Sequence, residues 1–194
     1  MRALPCTIRA MSLPSKICSF PPTDSNDARV LILGSMPGVA SLAARQYYAH
    51  PRNAFWPLMA RLCGFKADLA YPVRLQALEA AGIRLWDVLA SCERVGSSDA
   101  AIAPGTVQIN TIGLLLQAPH QLQVIVLNGA LAAKLFRKFV APQLYQNVQI
   151  IALPSTSPAH AAKTFEQKWQ AWRVLAPFIY TGEIRCRNAE AAAD

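Results

Sequence analysis

The chain has 194 residues, 53% of them hydrophobic, a formal net charge of +8 and five cysteines. That is enough apolar material for one buried core, which excludes global disorder, and no apolar run reaches the roughly 18 residues that a membrane-spanning helix needs. The cysteines (Cys6, Cys18, Cys63, Cys92, Cys186) are odd in number, scattered and without a Cys-x-x-Cys pair, and only three histidines accompany them. This argues against a disulfide framework or a metal centre, so no cofactor is expected, and it fits a reducing cytoplasm.

Residues 1–24 carry Arg2, Arg9 and Lys16 without a continuous apolar stretch or a small-residue cleavage site, so they read as a flexible segment rather than a secretory signal. Arg29-Val-Leu-Ile-Leu-Gly34 is a short apolar run ending in glycine, the pattern of a buried parallel strand. A helix is expected over 53–62, with Phe55, Met59 and Leu62 on one side, and a second over 75–81, closed by Gly82. Residues 83–89 read as a strand, 91–104 as a polar loop and 112–117 as a short helix before Pro119. Gln123-Val-Ile-Val-Leu127 is the clearest strand, turned by Asn128-Gly129 into a helix over 130–140. A further strand is expected at 147–153, then an amphipathic helix over 159–175 with Phe165, Trp169, Trp172 and Leu175 as its apolar stripe.

Strands alternating with helices imply an α/β fold, a three-layer α/β/α sandwich around a four-stranded, mainly parallel sheet. One domain is expected over 25–182, with a flexible tail at 183–194. Ligands bind such sheets beyond the carboxyl ends of the strands, which here carry the loops after Leu33, Leu89, Leu127 and Ala152.

Charge distribution narrows the partner. Residues 28–67 contain no Asp or Glu but include Arg29, Arg45, Arg52, Arg61 and Lys66; residues 100–165 again lack acids and include Lys134, Arg137, Lys138 and Lys163. A surface free of carboxylates tolerates a polyanion, although an ordinary basic protein accounts for the charge alone equally well.

Three loops concentrate chemistry. Gly34-Ser-Met-Pro-Gly38 is a rigid turn whose backbone N–H groups suit an anion or a carbonyl oxygen, or it is simply a tight strand–helix connection. Gln46-Tyr-Tyr-Ala-His-Pro-Arg-Asn-Ala-Phe-Trp56 combines stacking surfaces with hydrogen-bonding side chains; Phe55 and Trp56 read more readily as core, whereas Tyr48 in a Pro-flanked loop does not. Leu153-Pro-Ser-Thr-Ser-Pro158 offers three hydroxyls between two prolines, for phosphate oxygens or for capping the next helix through Ser157.

In this order and at these separations, the three segments resemble the motifs of the uracil-DNA glycosylase superfamily. The likeness, over about 29–175, is greatest to its hypoxanthine-DNA glycosylase (DNA-deoxyinosine glycosylase) family. The resemblance implies an enzyme that hydrolyses the N-glycosidic bond of a deaminated base everted from DNA; with no evident catalytic lysine in the motifs it is expected to be monofunctional, and a monomer is expected.

It also implies roles. Met36 stands where the mismatch-specific branch has asparagine and cannot orient water, so water positioning passes to Asn53. The N–H groups of Ser35 and Met36, with Ser155, would receive the charge developing on the leaving base. Tyr48 would stack on the base, with Gly34 and Pro37 lining its pocket. Arg52, Pro154, Thr156, Ser157 and Pro158 would contact DNA. Leu153 replaces a histidine of the best-known uracil glycosylases; His50 and His160 are substitutes for that imidazole, although His50 reads more simply as structural. Asp87, at the end of the 83–89 strand, is a further candidate, with capping or an arginine salt bridge as its plainer role. Uracil as the excised base, and a DNA-binding module without activity, are the competing readings.

Overall fold

The computed structural model describes residues 15–25, 27–116, 121–144 and 148–179. Four strands form a parallel sheet: β2 (Val30–Gly34), β3 (Ile83–Asp87), β6 (Val124–Asn128) and β7 (Gln149–Leu153), in the order β3-β2-β6-β7. In β2 and β6 every residue is buried, as expected for strands covered on both faces. Alternate side chains serve two cores. Val30, Ile32, Ile83, Leu85, Val124 and Val126 face Phe55, Leu58, Met59, Leu78, Trp172 and Leu175. These come from α2 (Phe55–Cys63), α3 (Tyr71–Ala80), α6 (Phe165–Trp172) and the 3₁₀ turn after it. Leu31, Leu33, Ile125 and Leu127 face the other way, toward α4 (Ile112–Leu115) and α5 (Ala130–Phe139), through Ile112, Ala132, Ala133 and Phe136. The three-layer α/β/α sandwich with a four-stranded parallel sheet is the observed architecture.

Three local expectations are corrected. The polar loop expected at 91–104 begins as a strand, β4 (Leu89–Arg94). It is the centre of a small antiparallel sheet with β1 (Ser15–Cys18) and β5 (Gln108–Ile109). Leu89 and Cys92 pack with Met36; they lie three residues apart across a register shift with polar Ser91 between them, so no alternating pattern shows in the sequence. The segment expected to be flexible to residue 24 is therefore built into the fold from Ser15 onward. It continues along β3, the edge strand of the parallel sheet, where Thr23 N donates to Leu85 O (3.0 Å) and the Phe20 carbonyl accepts from Trp86 Nε1 (3.1 Å). Finally, the last helix starts at Phe165, not 159. Thr164 and Gln167 form a reciprocal capping box that fixes its start, and Ser157 caps no helix.

Candidate active site at the carboxyl edge of the parallel sheet

The glycine loop leaves β2 with its carbonyls turned inward. Gly34 O accepts from Val88 N (2.8 Å), Ser35 O from Leu89 N (3.1 Å) and Pro37 O from the Arg94 guanidinium. In a planar trans peptide the N–H points opposite to the C=O. The N–H groups of Ser35, Met36 and Gly38 are therefore turned away from β4, and none has an acceptor among the described residues. This is the geometry of a backbone anion site. The side chains fasten the loop from behind: Met36 is buried in the small sheet's core, Ser35 Oγ donates to Asp99 Oδ1 (3.0 Å), and Val39 N donates to Ser97 Oγ (2.9 Å). Pro37 is buried as well.

Asp87 closes the floor. It lies in register with Gly34 at the end of β3, is 3% exposed, and its Oδ2 has no hydrogen-bond partner. Neither plainer role applies: it caps no helix, and the only ion pair among the described residues is Arg61–Glu166. Burial pushes its carboxyl up to about 7; the Arg94 guanidinium opposes that rise and Asp99 adds to it. Gly34 is required here, because a Cβ would collide with Asp87 Oδ1 and stand 3.4 Å from the Tyr48 hydroxyl.

Tyr48 enters from the second loop with a left-handed backbone (φ 56°), uncommon for a bulky residue and a strain that the surrounding contacts must hold. Its ring stacks on Phe55 at 3.8 Å between centroids, and its hydroxyl is buried without a partner. Burial, with the Asp87 charge, pushes its phenol up. The residue as a whole is partly exposed, and the exposed part is not its hydroxyl. Phe55 and Trp56 are core, as their sequence context implied. Tyr47 is buried beside them and its carbonyl accepts from Trp56 Nε1 (3.0 Å).

Asn53 is half-buried at the start of α2. Its Oδ1 accepts from Phe55 N (3.0 Å), holding the same phenylalanine on which Tyr48 stacks, while its amide nitrogen donates to no described residue. Both residues thus contact Phe55, Tyr48 through the ring and Asn53 through the backbone N–H. His50 Nδ1 accepts from Arg52 N (3.1 Å), a local turn contact, and the Arg52 side chain is exposed.

The third loop is pinned to β6. Asn128 Oδ1 accepts from Thr156 N (2.9 Å) and its Nδ2 donates to Thr156 Oγ1 (3.0 Å). Thr156 O in turn accepts from Ala54 N (3.0 Å), tying this loop to the second. Thr156 is 1% exposed, so its hydroxyl organises the loop and does not face a phosphate. Pro154, Ser155, Ser157 and Pro158 remain partly exposed. Gly129 (φ +100°) lets Ser155 approach, its absent Cβ standing 2.9 Å from the Ser155 Cβ. Among the described residues no cluster of three or more His, Cys, Asp or Glu is placed to hold a metal ion, and no helix is long and apolar enough to cross a membrane.

Sequence reasoning missed Asn128, Arg94 and Asp99. Asn128 was visible as the last residue before a glycine turn. Arg94 and Asp99 meet the glycine loop only through the small sheet, which leaves no local signal.

A sequence model of the uracil DNA glycosylase superfamily matches residues 21–176, a span that contains all three loops. The chain belongs to the uracil DNA glycosylase superfamily. Membership carries the enzyme class, a DNA glycosylase that hydrolyses N-glycosidic bonds. Two relatives are named hypoxanthine DNA glycosylase. The one from Methanosarcina acetivorans is 34% identical over 78% of this chain and 94% of its own length; that from Methanosarcina barkeri is 37% identical over 57% and 69%. The solution NMR structure of a protein from Methanosarcina acetivorans, provisionally assigned as a uracil DNA glycosylase, superposes with a TM-score of 0.72 at 28% identity. It covers 84% of this chain and 99% of that one. The superfamily fold thus brings the glycine loop, the Tyr48–Asn53 loop and the 153–158 loop to one edge of the parallel sheet.

Proposed function

We propose that this DNA glycosylase excises hypoxanthine from DNA, as a monofunctional enzyme acting as a monomer. Two relatives bearing that name support the choice of base. The observation that supports the site is a chain of contacts: Asn53 accepts from the Phe55 N–H, Tyr48 stacks on the Phe55 ring, and the Tyr48 hydroxyl lies beside Gly34, where the glycine loop begins.

In this reading the everted base stacks on the exposed part of the Tyr48 ring, whose other face is backed by Phe55. The N-glycosidic bond breaks ahead of attack, its electron pair leaving with the base; water adds to C1′ of the resulting oxocarbenium-like sugar, and the proton it loses ends on the departed base. Asn53 holds that water through its unengaged amide nitrogen, since an amide is too weak a base to remove a proton. The N–H groups of Ser35, Met36 and Gly38 receive the charge that develops on the departing base, with Ser155 beside them. Arg52, Ser157, Pro154 and Pro158 hold the backbone of the DNA around the lesion. Lys168 is buried, and its ammonium donates to the Ser157 carbonyl (3.4 Å).

Uracil is the second reading, favoured by the provisional assignment of the NMR neighbour. Duplexes carrying hypoxanthine, uracil, xanthine or a thymine mismatch, assayed for abasic sites, decide between them. Release of hypoxanthine with strand breakage only after added alkali is the expected result. Release of uracil alone overturns the choice of base, and breakage without alkali overturns the monofunctional mechanism.

A further inference from the structure

The most unusual group near this site takes no part in the scheme above. Arg94, the last residue of β4, is 3% exposed. Its Nε donates to Gly96 O (2.9 Å) and one terminal nitrogen donates to Pro37 O, while the other, Nη1, is buried with no hydrogen-bond partner. No carboxylate lies within ion-pairing distance among the described residues. The acidic groups within its electrostatic reach are Asp87 from β3 and Asp99 from the turn after β4, and burial pushes both carboxyls up. A buried guanidinium without a paired carboxylate is costly, and an arginine that only filled space would be replaceable by an apolar residue at a gain in stability.

Its position gives the charge a use. Arg94 grips the Pro37 carbonyl from behind the glycine loop, so the trans peptide directs the Gly38 N–H to the opposite side, together with those of Ser35 and Met36. The same grip places a full positive charge directly behind that row of donors, in surroundings that screen it poorly.

We propose that Arg94 is the positioning residue for leaving-group stabilisation: it orients the Pro37–Gly38 peptide and biases the glycine loop toward negative charge without touching the base. The role rests on the base-excision reading above and assigns the electrostatic assistance to a residue outside all three motifs.

The test compares two leaving groups under single-turnover conditions: duplexes carrying hypoxanthine or 2-fluorohypoxanthine, whose fluorine makes the departing base a weaker base. Arg94→Met should slow hypoxanthine release by about 100-fold or more, the scale seen when one donor to a developing oxyanion is removed. Binding to a non-cleavable duplex should change little. On the fluorinated base, which needs less assistance, the loss should be about tenfold smaller. Arg94→Lys keeps the charge and should recover part of the rate; it also carries the leaving-group comparison if Arg94→Met does not fold. Equal losses on the two bases, or losses that follow thermal stability alone, overturn the proposal and leave Arg94 a structural residue. Wild-type protein that frees neither base overturns the function itself and this role with it, whereas wild-type release with a flat leaving-group response removes only the role of Arg94.

Discussion

The loop after β2 and the loop after β7 both follow a parallel strand at the carboxyl edge of the sheet, yet they are fixed by different parts of the chain. The first is held through its own carbonyls, taken up by Val88, Leu89 and Arg94, so that what it presents forward is backbone N–H. The second is held by side chains from elsewhere. Asn128 clasps Thr156, and the Trp172 indole donates to the Pro154 carbonyl (3.0 Å), which leaves Ser155, Ser157 and Pro158 partly exposed. One wall is suited to charge that appears during reaction, the other to contacts with a partner that is already there. Between them the Tyr48–Asn53 segment supplies the ring and the amide. Changes at the first wall should therefore alter chemistry and pH response, and changes at the second should alter stability or DNA affinity.

The largest effect is expected in the segment between the walls. Asn53→Ala should reduce base release by about a thousandfold in single-turnover assays if the amide holds the nucleophile. It should leave DNA binding in a gel-shift or anisotropy titration nearly unchanged. Because Asn53 Oδ1 also accepts from Phe55 N, the same variant should lose about 1 kcal/mol of stability. Asn53→Asp keeps an oxygen for that hydrogen bond, so denaturation of the two variants separates the structural from the chemical loss.

Asp87 comes next and tests the floor beneath the first wall. Its folded-state pKa is raised to about 7 by burial, so the folded protein holds this proton more tightly than the unfolded chain does. Stability from this group is full below about pH 4 and is lost as pH rises through about 7, by at most roughly 4 kcal/mol. Asp87→Asn removes that dependence. Urea denaturation at pH 4 and pH 8 should show the variant gaining on wild type at the higher pH, and a pH-independent difference would mean that the carboxyl is not held neutral.

Tyr48→Ala should weaken base release by about 5- to 150-fold, the value of roughly 1–3 kcal/mol for a stacked base. Tyr48→Phe deletes a hydroxyl that has no hydrogen-bond partner and should stay within about threefold of wild type in rate without losing stability. A large loss in the phenylalanine variant would show that the hydroxyl, not the ring, does the work. At the second wall, Gly129→Ala introduces a Cβ into a left-handed backbone position 2.9 Å from the Ser155 Cβ. It should cost about 1–3 kcal/mol of stability in thermal or urea denaturation, with a smaller effect on the chemical step than at Asn53.

The parallel sheet was legible because β2 and β6 are buried on both faces and so write continuous apolar runs bounded by glycine. The small antiparallel sheet was not. Within β4, Ser91 and Arg94 are polar residues that are nonetheless buried, so the segment reads as a loop although Ser91–Arg94 pairs throughout with β1. The same misreading hid the support of the glycine loop, since Arg94, Ser97 and Asp99 reach it across a distance in sequence that no local pattern records. Tyr48 and Asn53 were readable as a pair because one short loop carries both. Thr156 was readable as a hydroxyl but not as a buried one, because its partner Asn128 lies 28 residues earlier, at the end of another strand.

The central claim is that an everted base sits on Tyr48 with its sugar turned to Asn53. A crystal structure of the enzyme on a duplex containing 2′-fluoro-deoxyinosine, which resists cleavage, tests it most directly. The account predicts hypoxanthine outside the helix and against the Tyr48 ring, its departing nitrogen toward the glycine loop and C1′ toward the Asn53 amide. A base left in the helical stack, or bound away from Tyr48 and Asn53, would contradict it.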